Sequence, residues 1–151
     1  MLLLPLFGLL GASCGSQDEV ARIVSPSGDT EAVVVEINGG ATTAFGHNVY
    51  VVARGRSTLW GAKVAQFYEA SRSKRAAGVN PRWVTPDLLR IEYLDANRDE
   101  LLPGQPFTVG GRSVRVTLAR GVNDPVACAG GMLYALQMSN LNGPECRITG
   151  R

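Results

Sequence analysis

A chain of 151 residues is long enough for one domain of ordinary size, and an apolar content of 45% can supply its core. The 18 glycines and 8 prolines favour short strands joined by tight turns over long helices. The net charge is only +2, with scattered cations, and this argues against a nucleic-acid partner, which would require a basic face.

The first 13 residues, MLLLPLFGLLGAS, form an apolar run that ends in small residues before Cys14. This run is shorter than the roughly 20 residues that span a hydrocarbon core, and it has the apolar and small-residue regions of a secretory signal. The small residues before a cysteine resemble a bacterial lipoprotein signal, which implies a lipid on Cys14. Because Gly11 replaces the usual leucine and no basic region precedes the run, a plain cleaved signal and an uncleaved anchor or buried strand remain alternatives.

The chain has three cysteines, so at least one of them stays outside any intramolecular disulfide, and in an exported protein that leftover thiol needs an explanation. If Cys14 carries lipid, Cys128 and Cys146 remain to form a disulfide. Closing a loop of about 17 residues would stabilise the fold by roughly 3 kcal/mol. Two free buried thiols are the alternative. The predicted organisation is a signal at 1–13, a polar tether at 14–19, and one β-rich domain at 20–151 whose C-terminal tail carries the disulfide.

Strand patterns follow the tether. Residues 20–24 are apolar apart from Arg22 and predict a first strand. A turn at 25–28 leads into 31–37, where three successive valines predict a central strand or one covered on both faces. The short Gly-rich link after Asn38 predicts that the next strand, 47–53, is antiparallel to it.

Later segments are read in the same way. Residues 88–94 alternate between apolar and polar side chains, which is typical of a half-buried strand. A hairpin is predicted where 107–109 and 113–118 flank Gly110-Gly111. The remaining predictions are a strand or a helical turn at 59–68, with the strand preferred, an exposed loop at 69–80, an extended piece at 82–84, a loop at 95–106, and at 132–138 either a strand or a short helix. The expected fold class is all-β, mainly an antiparallel meander or a small sandwich.

Two patterns carry a resemblance. The turn Ser25-Pro26-Ser27-Gly28 with its following valines looks like the SPDG-type turn and strand in blades of TolB-like propellers. The longer pattern adds the GGATT-x-F stretch that ends at Phe45, and then Trp83 with the strand 89–93. Together these resemble a family of small bacterial proteins described as lipoproteins or as domains of unknown function. The likeness covers about residues 20 to 120; it implies fold and location and supplies no catalytic residues.

No catalytic or metal-binding pattern stands out. His47 is the single histidine, and without a nucleophile elbow it is better interpreted as a strand-edge residue than as a general base. The cysteine spacing fits no zinc site, and no cofactor is expected. Asp95, Asn97, Asp99 and Glu100 place oxygens at alternate positions, but they lack the glycine and distal glutamate of a calcium loop, so a solvated turn is favoured.

The stretch from Gly39 to Phe45 is the candidate binding loop, with Gly39, Gly40, Thr42, Thr43 and Phe45 as its candidate residues. Its consecutive N–H groups could form an anion nest. The simpler interpretation is a sharp connection between two strands. A basic cluster, Arg72, Lys74 and Arg75, is interpreted as a solvated loop, with a phosphate or lipid contact as the alternative.

These observations predict a domain of the bacterial cell envelope, lipid-anchored and facing the periplasm or the exterior. Its expected role is non-catalytic binding or structural support, with the membrane as one partner and an envelope protein as another. The alternative is an enzyme of unrecognised type that uses His47 with Glu36 or Asp95.

Overall fold

The computed structural model describes residues 15–127. The predicted lipid site Cys14, the predicted disulfide of Cys128 with Cys146, and the segment 132–138 lie outside the described residues. Within the described part no helix has the length and hydropathy needed to cross a bilayer.

The described chain is mostly strand and has no helix of seven or more residues, which confirms the all-β prediction. One 3-10 turn, Thr58–Trp60, lies between the third and fourth strands. The strands are β1 Ser16–Val24, β2 Thr30–Asn38, β3 Gly46–Ala53, β4 Ala62–Tyr68, β5 Ser71–Ser73, β6 Ala76–Ala77, β7 Asn80–Thr85, β8 Leu88–Tyr93, β9 Arg98–Leu101, β10 Phe107–Val109 and β11 Arg112–Arg120.

Two sheets enclose one core. The first has the order β1-β2-β3-β4-β9 and the second has the order β10-β11-β8-β7, while β5 and β6 form a separate hairpin. Inward-facing residues of both sheets belong to a single apolar cluster that includes Val34, Val49, Leu89, Ile91 and Val114. Alternation along each strand places these side chains on the same face, so the two inner faces pack as a sandwich.

The valine strand β2 is central, as predicted. It pairs antiparallel with β1 on one side and with β3 on the other. Ala32 and Val34 face the main core, whereas Val33 and Val35 belong to a second apolar cluster on the opposite face. A strand buried on both faces needs no polar alternation, and this explains its continuous run of valines.

Three predicted boundaries were wrong. β1 begins at Ser16, so the polar residues 16–19 expected in the tether instead complete the ladder with β2. The predicted loop 95–106 contains β9, which pairs with β4 as an edge strand. The predicted strand 59–68 begins with the 3-10 turn and becomes a strand only at Ala62. Edge strands tolerate polar residues, so residues 16–19 and β9 carry little of the apolar pattern from which strands are recognised. Leu59 and Trp60 are apolar, and this made the start of 59–68 resemble a strand.

Two further differences are topological. The predicted exposed loop 69–80 contains the β5–β6 hairpin. β8 and β11 pair in parallel, because the chain between them crosses to the first sheet as β9 and returns through β10. Such long-range pairing leaves no local signature in the sequence.

Candidate functional site

The two ends of the first sheet carry different surfaces. At the Ser16 end, where β1 begins, Ser16 pairs with Asn38 and Ile37 pairs with Gly46. At the Val24 end, Val24 pairs with Glu31 close to the β3–β4 connection. Eight steps of about 3.3 Å along β1 separate these ends by about 26 Å.

The candidate binding loop lies at the Ser16 end and faces the β5–β6 hairpin across a cleft of about 360 Å3. Thr43 and Phe45 line this cleft, together with Glu69, Lys74 and Arg75 from the hairpin side. Gly39, Gly40 and Thr42 belong to the same loop but do not line the cleft. The structure therefore brings two of the five candidate residues to a concave surface.

The loop is closed by its own hydrogen bonds. The Gly40 N–H donates to Asn38 Oδ1 at 2.9 Å, and the Thr43 N–H donates to Gly40 O at 3.2 Å. These two N–H groups are among those that an anion nest would direct at its ligand. Because they are already paired within the loop, the geometry favours the strand connection over the nest.

The three residues of the basic cluster differ in exposure within the β5–β6 hairpin. Lys74 and Arg75 are exposed at its turn, and their side chains make no hydrogen bond or ion pair within residues 15–127. Arg72, in contrast, is buried. The interpretation of the whole cluster as a solvated loop was therefore wrong for Arg72.

His47 and Glu36 are brought together on the inner face of the first sheet. They are register partners in the β2–β3 ladder, and His47 Nε2 lies 3.8 Å from Glu36 Oε2. His47 is fully buried, Glu36 is 2% exposed, and neither ring nitrogen of His47 has a hydrogen-bond partner in the described chain. His47 is thus a core residue and not the strand-edge residue expected. With both groups closed to solvent, a substrate has no access to the pair.

Asp95 does not join this pair. Its carboxylate contacts Arg120, and this side-chain hydrogen bond holds the pKa of Asp95 below its ordinary value. Asp99 accepts from the Tyr93 hydroxyl and faces Arg120 at 3.8 Å. Asp95 and Asp99 therefore share Arg120 as an ion-pair partner. Among residues 15–127 no group of three or more potential ligands could hold a metal ion.

The most exposed apolar residues lie on the 3-10 turn, which the sequence analysis did not single out. Leu59 is 88% exposed and Trp60 is 78% exposed. We call residues 57–61 the tip. It lies in the β3–β4 connection at the Val24 end. A helical turn was one of the two interpretations of 59–68, and it was set aside in favour of a single strand.

Hydrogen bonds and close packing hold the tip. Ser57 Oγ accepts from the Leu59 N–H at 3.3 Å, Ser57 O accepts from the Trp60 N–H at 3.0 Å, and Thr58 O accepts from the Gly61 N–H at 3.1 Å. A Cβ placed on Gly61 would lie 2.5 Å from Val52 Cγ1 and 2.6 Å from Val51 O. The backbone of the tip therefore rests directly on β3.

A partly buried ion-pair network supports the residues that lead into the tip. Arg22 contacts Glu31 at 2.5 Å, and its Nε and Nη2 both donate to Glu19. Glu31 Oε2 also accepts from the Gly55 N–H at 3.0 Å, and Arg22 Nη1 donates to Arg56 O at 3.2 Å. Burial alone would raise the pKa of Glu31, but the Gly55 and Arg22 hydrogen bonds outweigh it and lower that pKa. The network connects β1 and β2 to the base of the tip.

No family model, curated protein or solved structure matches this chain. The resemblance to small bacterial lipoproteins therefore stays a prediction.

Proposed function

We propose that this chain is an exported, lipid-tethered β-sandwich that acts without catalysis, by binding another envelope protein through the tip. The observation that carries the proposal is the high exposure of Leu59 and Trp60 on a backbone held in one conformation. Binding energy at protein interfaces is concentrated in a few residues, among which tryptophan is enriched. A pre-ordered turn also lowers the entropy lost on association.

The position of the tip favours a protein partner over the anchoring bilayer. A lipid on Cys14 would hold the Ser16 end of β1 at the membrane, since the strand begins two residues after that cysteine. The tip lies at the opposite end, about 26 Å along β1. Leu59 and Trp60 would then face away from the lipid headgroups.

The charges beside the tip indicate the chemistry of the partner. Arg54 and Arg56 are exposed in the segment that leads into it, and neither forms an ion pair within the described chain. A complementary surface would place an apolar pocket over Leu59 and Trp60 and carboxylates at its rim, where they raise the association rate.

The tether and the tip can be tested separately. Labelling cells with an alkyne fatty acid should tag the wild-type protein and leave Cys14→Ser untagged. Equal labelling of the two proteins would contradict the lipid anchor.

For the tip, a photo-crosslinking amino acid is placed at Leu59, with a matched variant at Val84, an exposed apolar residue of the second sheet. We expect one discrete protein adduct from position 59 in intact cells, lost when Trp60→Ala is added, and none from position 84. An adduct that persists in Trp60→Ala, or that forms equally at position 84, would contradict the proposal. A blue shift of Trp60 emission on vesicles with anionic lipid would instead assign the tip to a membrane surface.

A further inference from the structure

Arg72 lies at a β-bulge. The β5–β6 register shifts between Ser71 and Ser73, so Arg72 is the residue without a partner in the ladder. Bulges commonly turn a side chain away from the direction that regular pairing would give it. Arg72 is only 4% exposed, although Lys74 and Arg75 beside it are both exposed.

In the part of the chain that the structure describes, the guanidinium of Arg72 has no counter-ion in contact. Its Nε has no hydrogen-bond partner, and Arg72 forms no ion pair within residues 15–127. Burial lowers the pKa of Arg72, and the more distant charge of Asp124 only partly opposes this. Because arginine stays protonated in proteins, the site holds a buried cation whose Nε–H donor has no partner among the described residues.

A cavity of about 150 Å3 adjoins this group on the outer face of the second sheet. Asn80 and Arg82 of β7, Glu92 of β8, and Asn123 and Asp124 of the segment after β11 line it with Arg72. At roughly 30 Å3 per liquid water molecule, the volume corresponds to about five waters, which is enough for a small organic acid.

The other charged groups of the cavity are already engaged. Glu92 faces Arg82 at 3.7 Å and Arg90 at 3.4 Å. Asp124 accepts from the Val126 N–H at 3.2 Å through Oδ1, and its own N–H donates to Arg72 O at 2.8 Å. Of the two arginines that line the cavity, Arg72 is the one without an ion pair among residues 15–127, so a bound anion would complete its contacts.

We propose that this cavity binds a small molecule through a carboxylate group that pairs with the Arg72 guanidinium. Asn80 and Asn123 offer amide donors for the remaining carboxylate lone pairs. A planar carboxylate matches the donor fork of arginine, and the two can form parallel hydrogen bonds. A phosphate dianion fits less well, because Glu92 and Asp124 line the same cavity and would repel its second charge.

The test follows the Nε–H resonance of Arg72 in the 15N spectrum of the whole protein during titration with sodium acetate. Sodium chloride at equal ionic strength is the reference, and inorganic phosphate is the competing probe. We expect a saturable shift with acetate and none with chloride. No response of this resonance to acetate, an equal response to chloride, or saturation by phosphate alone would overturn the proposal.

Variants separate the site from general charge effects. Arg72→Lys keeps the charge but loses the planar fork, and it should weaken acetate binding at least tenfold. Arg75→Gln, at the exposed turn of the same hairpin, should bind as the wild type does. Asp124→Asn removes a repelling carboxylate and should tighten binding up to about fivefold. Equal affinity in Arg72→Lys and wild type would overturn the proposal. Should Arg72→Lys fail to fold, no gain in affinity in Asp124→Asn would overturn it too.

Discussion

Replacing Gly61 with alanine tests whether the tip rests on β3 as closely as the geometry indicates. The added Cβ would lie 2.5 Å from Val52 Cγ1 and 2.6 Å from the carbonyl oxygen of Val51. Carbon atoms in contact prefer about 3.5–4.0 Å, so the tip or the strand must move by about 1 Å. Gly61 has φ −110° and ψ 179°, which any residue adopts, so the cost is steric and not conformational.

The size of the stability loss in Gly61→Ala depends on whether Val52 or the β3 backbone can move away from the added Cβ. Val52 is fully buried and β-branched, which leaves its side chain few alternative rotamers, and Val51 O belongs to the strand backbone. Overpacking at such sites costs typically 1–3 kcal/mol. We therefore expect Gly61→Ala to lower the free energy of unfolding by about 2 kcal/mol, as measured by urea denaturation with an unchanged m-value.

A double-mutant cycle with Val52→Ala provides the control. Removing Cγ1 relieves one of the two close contacts, so the loss in the double variant should be at least about 0.5 kcal/mol smaller than the sum of the single losses. A single Gly61→Ala loss below about 0.5 kcal/mol, or strictly additive losses, would refute the close packing of the tip on β3.

The remaining predictions concern charge and exposure. Glu31→Gln should cost about 2 kcal/mol near neutral pH, because Arg22 loses a buried partner while keeping Glu19. The folded state lowers the pKa of Glu31, so the stability that Glu31 contributes is present above its unfolded pKa and is lost as the pH falls through its folded pKa. In Glu31→Gln the free energy of unfolding should therefore fall less steeply on acidification than in the wild type. Burial and the Asp99 hydrogen bond raise the pKa of Tyr93 to about 12, so ultraviolet titration should show a phenol that ionises near pH 12 in the wild type and at lower pH in Asp99→Asn. The stability that Tyr93 contributes is present below its unfolded pKa of about 10 and is lost as the pH rises to about 12. Trp60→Ala should change stability by less than about 0.5 kcal/mol, and a larger loss by urea denaturation would show that Trp60 packs against the fold.

The proposed function uses the two opposite ends of the first sheet. The Ser16 end carries the cleft between the candidate binding loop and the hairpin, and it adjoins the position where a lipid would attach. The tip projects from the Val24 end. A tether at one end and a rigid apolar contact at the other would keep the binding surface clear of the membrane.

Local pattern alone determined the strands on which the fold is built. The valine run of β2, the alternation in β8 and the Gly110-Gly111 hairpin are each visible within a few neighbouring residues, because β-branched runs and period-two alternation follow directly from strand geometry. The central position of β2 was also predictable, since a strand apolar on both faces must be covered on both.

Only the tertiary structure decided which polar residues meet and which apolar residues stay outside. The pairing of Glu36 with His47 depends on the register between β2 and β3, and the burial of Arg72 depends on a bulge and on a segment about fifty residues later in the chain. Leu59 and Trp60 have the composition of core residues, yet they are exposed because Gly61 packs on Val52 and turns the chain outward. Long-range packing sets these features, so the pattern of neighbouring residues does not encode them.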